Sequence, residues 1–211
     1  MDGMDHSLPA RIFKLAPLAL MALMALMVAC GSSAGDEIVF VSEIDGDAEI
    51  YVIDPKSGEV RPLTDNRSQD VDPVWSPDGK QVAYVSDEAG DLEINVVDRM
   101  GEVINRLTHI PEDDETPLWS PNGKNLAFIS NQDDNAEVYL MDPQGGRPIR
   151  LTAKSADDGM GDWSPDGVWL AFVRGGSSEE RGLWLRNPDG VNIVHLTHGN
   201  DFNPAWSPNG D

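Results

Sequence analysis

Three observations predict an all-β fold, a β-propeller of four-stranded blades. Trp-Ser-Pro recurs at Trp75, Trp119, Trp163 and Trp206, spaced 44, 44 and 43 residues. Leu-Thr recurs at Leu63, Leu107, Leu151 and Leu196 with nearly the same period. Short β-type runs separated by turn residues fill the intervals, and no helical apolar period of useful length follows Cys30. Four strands in every unit of about 44 residues is the pattern of propeller blades, here in four repeats.

The elements follow in chain order. Leu15 to Ala29 form an uncharged run of 15 residues after Arg11 and Lys14. A membrane span needs about 20 apolar residues, so a secretory leader fits better. The run ends in Met27-Val28-Ala29-Cys30, followed by Gly31. This resembles a bacterial lipobox, with Met27 in place of the usual Leu. The resemblance implies a lipoprotein-type signal over residues 1–29, lipidation at Cys30, and a protein anchored outside the cytoplasm. With Gly31 after the Cys, it also implies the outer membrane in a double-membraned cell. Residues 30–37 are small and polar, a flexible tether. The repeats occupy residues 38–211.

In the second repeat the expected strands are Pro73–Trp75, Gln81–Ser86, Glu93–Asp98 and Val103–Thr108, here called A to D. Ser76-Pro77-Asp78-Gly79 is the A–B turn. Proline presets φ at its second position, and glycine tolerates the fourth. The pairs Ala83-Tyr84, Ala127-Phe128 and Ala171-Phe172 mark strand B, and Glu49-Ile50-Tyr51, Glu93-Ile94-Asn95 and Glu137-Val138-Tyr139 mark strand C. The fourth repeat departs from the pattern. Gly161 stands where proline is usual, and Gly175 to Arg181 replace the acidic hairpin.

Asp72-Pro73-Val74-Trp75-Ser76-Pro77-Asp78-Gly79-Lys80, with the strand markers above, resembles the WD40-like repeat of TolB-type propellers. The resemblance covers residues 38–211 and implies a blade type rather than an activity. The chain starts at a B strand (Ile38–Ser42) and ends on an A strand (Pro204–Ser207). Two arrangements follow. The last A strand completes the first blade and closes a ring of four, or the repeats are part of the six- to eight-bladed propeller usual among relatives.

The chain carries 15 Lys and Arg against 37 Asp and Glu, a net charge of −22. Such a surface excludes a nucleic-acid backbone as an obvious partner. Blade geometry sends the B–C turns and D–A links to one end of the disc. That end receives 24 of the acids and four of the bases, whereas the other end is balanced. Crowded like charges favour a compensating ligand. The candidate residues for a cationic protein partner or a cation are Asp45, Asp47, Asp70, Asp72, Asp113, Asp114, Asp133, Asp134, Asp157 and Asp158. Calcium is the cofactor their oxygen donors would suit, although no stretch has EF-hand spacing.

No Gly-x-Ser-x-Gly elbow, His-Glu-x-x-His or phosphate-cradling loop is present, and no residue is assigned a catalytic role. Cys30 is the single cysteine, which excludes an intrachain disulfide. The function expected is a non-catalytic extracytoplasmic scaffold that binds protein or ligand through acidic loops. The membrane is reached only through the lipid. The resemblance leaves one alternative: a fragment of a larger propeller enzyme, of prolyl-oligopeptidase or oligogalacturonate-lyase type, whose catalytic part lies elsewhere. Protein extracted from host membranes should have the intact mass of residues 30–211 plus acyl groups. An unlipidated mass would remove the anchor.

Overall fold

In the computed structural model the described residues are 36–44 and 46–210. Cys30, most of the expected tether and Asp45 lie outside them. The described residues carry fifteen strands and no helix. The first sheet holds β1 (Ile38–Ser42), β2 (Glu49–Ile53) and β3 (Val60–Pro62). The second holds β4 (Asp70–Trp75), β5 (Gln81–Ser86), β6 (Glu93–Asp98) and β7 (Val103–Arg106). The third holds β8 (Asp114–Trp119), β9 (Leu126–Ser130), β10 (Glu137–Met141) and β11 (Ile149–Arg150). The fourth holds β12 (Asp158–Trp163), β13 (Leu170–Arg174), β14 (Gly182–Arg186) and β15 (Ile193–His195). Every neighbouring pair is antiparallel, the up-and-down order of a propeller blade.

The predicted strands agree closely with these. β1, β5 and β6 have the expected bounds. β4 starts three residues earlier than expected and β7 stops two residues sooner. The early start of β4 comes from a bulge the pattern hides. Its register with β5 shifts between Val71 and Val74, and Asp72 has a left-handed φ of 50°. Thr116 and Asn203 hold the same repeat position with φ of 52° and 49°.

Apolar residues of facing sheets interdigitate in three clusters. Trp119 joins the cluster between the second and third sheets, and its indole N–H donates to the Val74 carbonyl at 3.2 Å. Trp163 packs in the cluster between the third and fourth sheets, and Trp75 packs at the edge of the cluster between the first and second. Phe128 and Phe172, the aromatic residues of the strand-B markers, are fully buried. Glu37, just ahead of β1, ties the first two sheets together through Arg61 at 3.1 Å and Arg99 at 3.0 Å.

The ring of four blades does not form. β1 is the edge of a three-stranded sheet, and no strand over Pro204–Ser207 pairs with it. That segment lies against β12 instead. The Trp206 N–H donates to Asp162 Oδ2 at 2.9 Å, and Pro204 seats on Gly161. It therefore continues the series beyond the fourth sheet and cannot return to the first. Gly161 is explained by the same contact, since a Cβ there would lie 2.4 Å from the Ala171 carbonyl oxygen and 2.7 Å from Pro204 Cγ. Gly161→Ala should destabilise the protein by about 1–3 kcal/mol in a denaturant melt. An unchanged midpoint would show that Pro204 does not need this seat.

Candidate binding surface

The Leu-Thr marker is a clamp on one residue of strand C. The Leu63 N–H donates to the Ile50 carbonyl at 2.7 Å, while Thr64 Oγ accepts the Ile50 N–H at 2.8 Å. Leu107 and Thr108 hold Ile94, and Leu151 and Thr152 hold Val138, in the same way. Leu196 and Thr197 hold Leu183 at 2.8 and 2.9 Å. Both backbone groups of the clamped residue are thereby satisfied where the ladder to strand D has ended.

Next to each clamp in the first three sheets lies a buried glutamate at the head of strand C: Glu49, Glu93 and Glu137. A buried carboxylate needs charge and donors to hold it. Glu137 has them. It accepts Arg150 Nη2 at 2.8 Å, the Lys154 N–H at 2.6 Å, Asn135 Nδ2 at 3.2 Å and the Thr152 hydroxyl at 2.5 Å. Burial pushes this carboxyl up, but the bonds from Thr152, Lys154, Arg150 and Asn135 outweigh it and hold the group below its usual range. Arg150 also pairs with Asp133 at 2.9 Å. Glu93 is held by Arg106 Nη2 at 2.7 Å. In both blades the same arginine bonds the threonine carbonyl through Nε. Glu49 has no such arginine, because Pro62 stands at that register opposite Tyr51. Burial raises its carboxyl above the usual range, in part offset by Thr64 and the Asn66 N–H. Gly182 replaces the glutamate in the fourth sheet, and His195 replaces the arginine and stacks on Trp184 at 3.9 Å.

The structure separates the predicted aspartates into three groups. Asp70, Asp114 and Asp158 are at most 1% exposed at the start of the innermost strands. The structure thus places these three inside the blades rather than on the exposed loop surface. They sit where the D–A link turns inward. Their N–H groups donate to the carbonyls of Ala48, Leu92 and Ala136, each just ahead of the preceding C strand, at 2.7–2.8 Å. Asp158 is met by a bidentate Arg174 at 2.7 and 2.6 Å, whose guanidinium lies 5.2 Å from the Phe172 ring centroid and 5.1 Å from that of Trp184. Arg174 takes the position of Ser86 and Ser130. Asp70 accepts Asn66 Nδ2 at 2.8 Å, its one side-chain donor among the described residues.

Asp113, Asp133 and Asp157 are exposed yet partly committed. Asp113 and Asp157 accept the Leu92 and Ala136 N–H groups at 3.1 and 3.2 Å, and Asp133 accepts the Tyr139 hydroxyl. Asp72 and Asp134 are exposed on left-handed backbone, at the bulge of β4 and in the β9–β10 hairpin. Asp47 is half-buried and lines a cavity of about 280 Å³ in the first sheet with Glu49, Pro62, Thr64, Asn66 and Arg67. Glu43, Asp65, Glu88, Glu112 and Glu179 extend the exposed acidic set. The aspartates thus do not converge on one site but ring the loop end of the fan. A groove of about 480 Å³ at the opposite end, lined by Pro77, Gln81, Trp119, Pro121 and Gln144, is nearly uncharged apart from Asp78 and Lys80. Among the described residues no group of three or more His, Cys, Asp or Glu is placed to hold a metal ion.

Sequence reasoning missed the glutamate–threonine–arginine set. Its signal is present in the markers, since Glu and Leu-Thr share one period, but period alone does not bring them onto one carboxylate.

Asp114 makes a pH prediction. Burial raises its carboxyl from the usual 3.8 to about 6, against smaller pulls from Ser130 and Thr108. The folded chain therefore holds a proton that the unfolded chain releases near pH 4. The resulting stabilisation is complete below pH 4 and is lost as pH rises through 6. Asp114→Asn should lessen the fall in melting temperature between pH 4 and pH 7 and stabilise the protein at pH 7 by about 2 kcal/mol. Parallel curves for the two proteins would show that Asp114 titrates normally.

The family model for PD40, the TolB beta propeller domain, matches residues 30–117 and 109–211. TolB from Acinetobacter baumannii superposes with a TM-score of 0.67 at 27% identity, over 82% of this chain and 44% of that one. A protein assigned as TolB from Agrobacterium tumefaciens gives 0.67 at 26% identity, over 83% and 68%. This chain thus spans under half the length of the first and about two thirds of the second. An oligogalacturonate lyase in complex with manganese shares the fold at a TM-score of 0.65 and 20% identity, over 82% and 54%. No curated protein matches the chain.

Proposed function

As the chain belongs to the PD40 family of TolB β-propeller domains, we propose that it is a non-catalytic binding module that presents acidic loops to a cationic protein outside the cytoplasm, anchored through Cys30. The observation that carries this reading is the division of the carboxylates. Glu93, Glu137 and Asp158 are buried and paired with arginines of their own blades, whereas Asp72, Glu88, Glu112 and Asp134 stand exposed at the β4 bulge and on loops. Rigid sheets hold these loops in place, the arrangement by which scaffolds present binding residues. Uncompensated like charge gives electrostatic steering toward a basic surface and a rate that falls with salt.

The test is capture from an extracytoplasmic extract of the host. The protein and a variant with Asp72→Asn, Glu88→Gln, Glu112→Gln and Asp134→Asn are immobilised side by side. Amides keep the side-chain shapes, and asparagine tolerates left-handed backbone. Basic proteins should be retained by the parent at about 50 mM salt, released by about 300 mM, and lost from the variant, with melting temperature unchanged. Equal retention by both proteins would remove the acidic end from the function.

A further inference from the structure

We propose that the cavity in the first sheet is a socket for an arginine side chain of the protein partner. Glu93 and Glu137 each carry an arginine from strand D, with guanidinium Nη2 on Oε1 at 2.7 and 2.8 Å. Glu49 is their equivalent, paired with Ser42 as Glu137 is with Ser130. It is 3% exposed, and its strand-D neighbour is Pro62, which has no charge to offer. Where the other blades place a guanidinium, this blade has an open cavity of about 280 Å³.

The walls suit the missing group. Glu49 Oε1 accepts a single backbone donor, Asn66 N–H at 2.6 Å, and Oε2 has no donor in bonding position, although the Thr64 hydroxyl is near enough to stabilise the charge. In the third blade Oε1 receives the equivalent backbone bond from Lys154 and the arginine besides. Asp47 and Asp65 line the cavity and add negative charge, while Tyr51 offers an aromatic wall. A planar fork of donors matches such oxygens better than an ammonium, which favours arginine over lysine. Arg67 is exposed at the rim and makes no ion pair among the described residues.

This inference rests on the cationic-partner reading, and its test separates the two. The probe is N-acetyl-arginine amide, with its citrulline counterpart as the uncharged isostere, titrated into the isotope-labelled protein and followed by amide chemical shifts. Saturable shifts at Asp47, Glu49, Tyr51 and Asn66 are expected with the arginine probe and none with citrulline. Pro62→Arg supplies the side chain internally, as Arg106 and Arg150 do. It should weaken probe binding at least about tenfold, raise the melting temperature, and reduce capture of the basic partner. Glu49→Gln should abolish the shifts, and Pro62→Arg decides the matter if that variant fails to fold. Equal shifts with citrulline, or unchanged probe binding in Pro62→Arg, would overturn the socket. Probe binding blocked by Pro62→Arg with partner capture undiminished would overturn its assignment to that partner. The four-residue loop variant leaves Asp47, Glu49 and Asp65 in place. Loss of partner capture there with probe binding intact supports the socket and the acidic end together. Partner capture that survives the loop variant, with the probe still bound, would refute only the wider acidic end.

Discussion

The clamp made by each Leu-Thr pair is the interaction on which the blades depend. It satisfies the N–H and the C=O of one strand-C residue at the point where strand D leaves the ladder. An unmade bond at such a buried group costs about 1–3 kcal/mol. The leucine does a second task, since Leu63, Leu107 and Leu151 are buried in the clusters between sheets. One dipeptide therefore joins the hydrogen bonding of a blade to the packing between blades. This explains its strict period better than strand propensity does.

Around that clamp the four blades solve one electrostatic problem differently. The second and third pair a buried glutamate with an arginine. The fourth dispenses with the glutamate, and Gly182 there is required by space. A Cβ would lie 1.9 Å from the Thr197 carbonyl oxygen, on backbone with φ of 140°. The same blade places Arg174 against Asp158, where its neighbours have serine. The first keeps the glutamate and loses the arginine. Removing one partner of a buried charge pair is costly unless something replaces it. The first blade is therefore where a ligand has most to offer.

The architecture was legible because its signals are local. Strand residues, Pro-Asp-Gly turns and tryptophans repeat at one period, and each reports its own element. The direction in which the last segment runs was not legible. Pro204 and Trp206 carry the strand-A motif wherever they lie, and only contact with Gly161 and Asp162 sends them past β12. The acidic site was half legible. Counting carboxylates by end found the charge, but Asp70, Asp114 and Asp158 look the same in sequence as Asp72 and Asp134. Burial differs because the D–A link turns inward at the first three, whereas the bulge and hairpin turn the others out.

By itself the sequence determined the blade: strand order, turn positions, the residues that pack between sheets, and a net charge of −22. These follow from period and side-chain type, which neighbours along the chain specify. The tertiary structure decided which carboxylates meet solvent and which meet an arginine. It also decided that Glu49 faces a cavity where its counterparts face a guanidinium. Those outcomes depend on residues 13 to 21 positions apart that only the folded ladder brings together. A repeat pattern records that the positions exist, while the space between strands determines what each can hold.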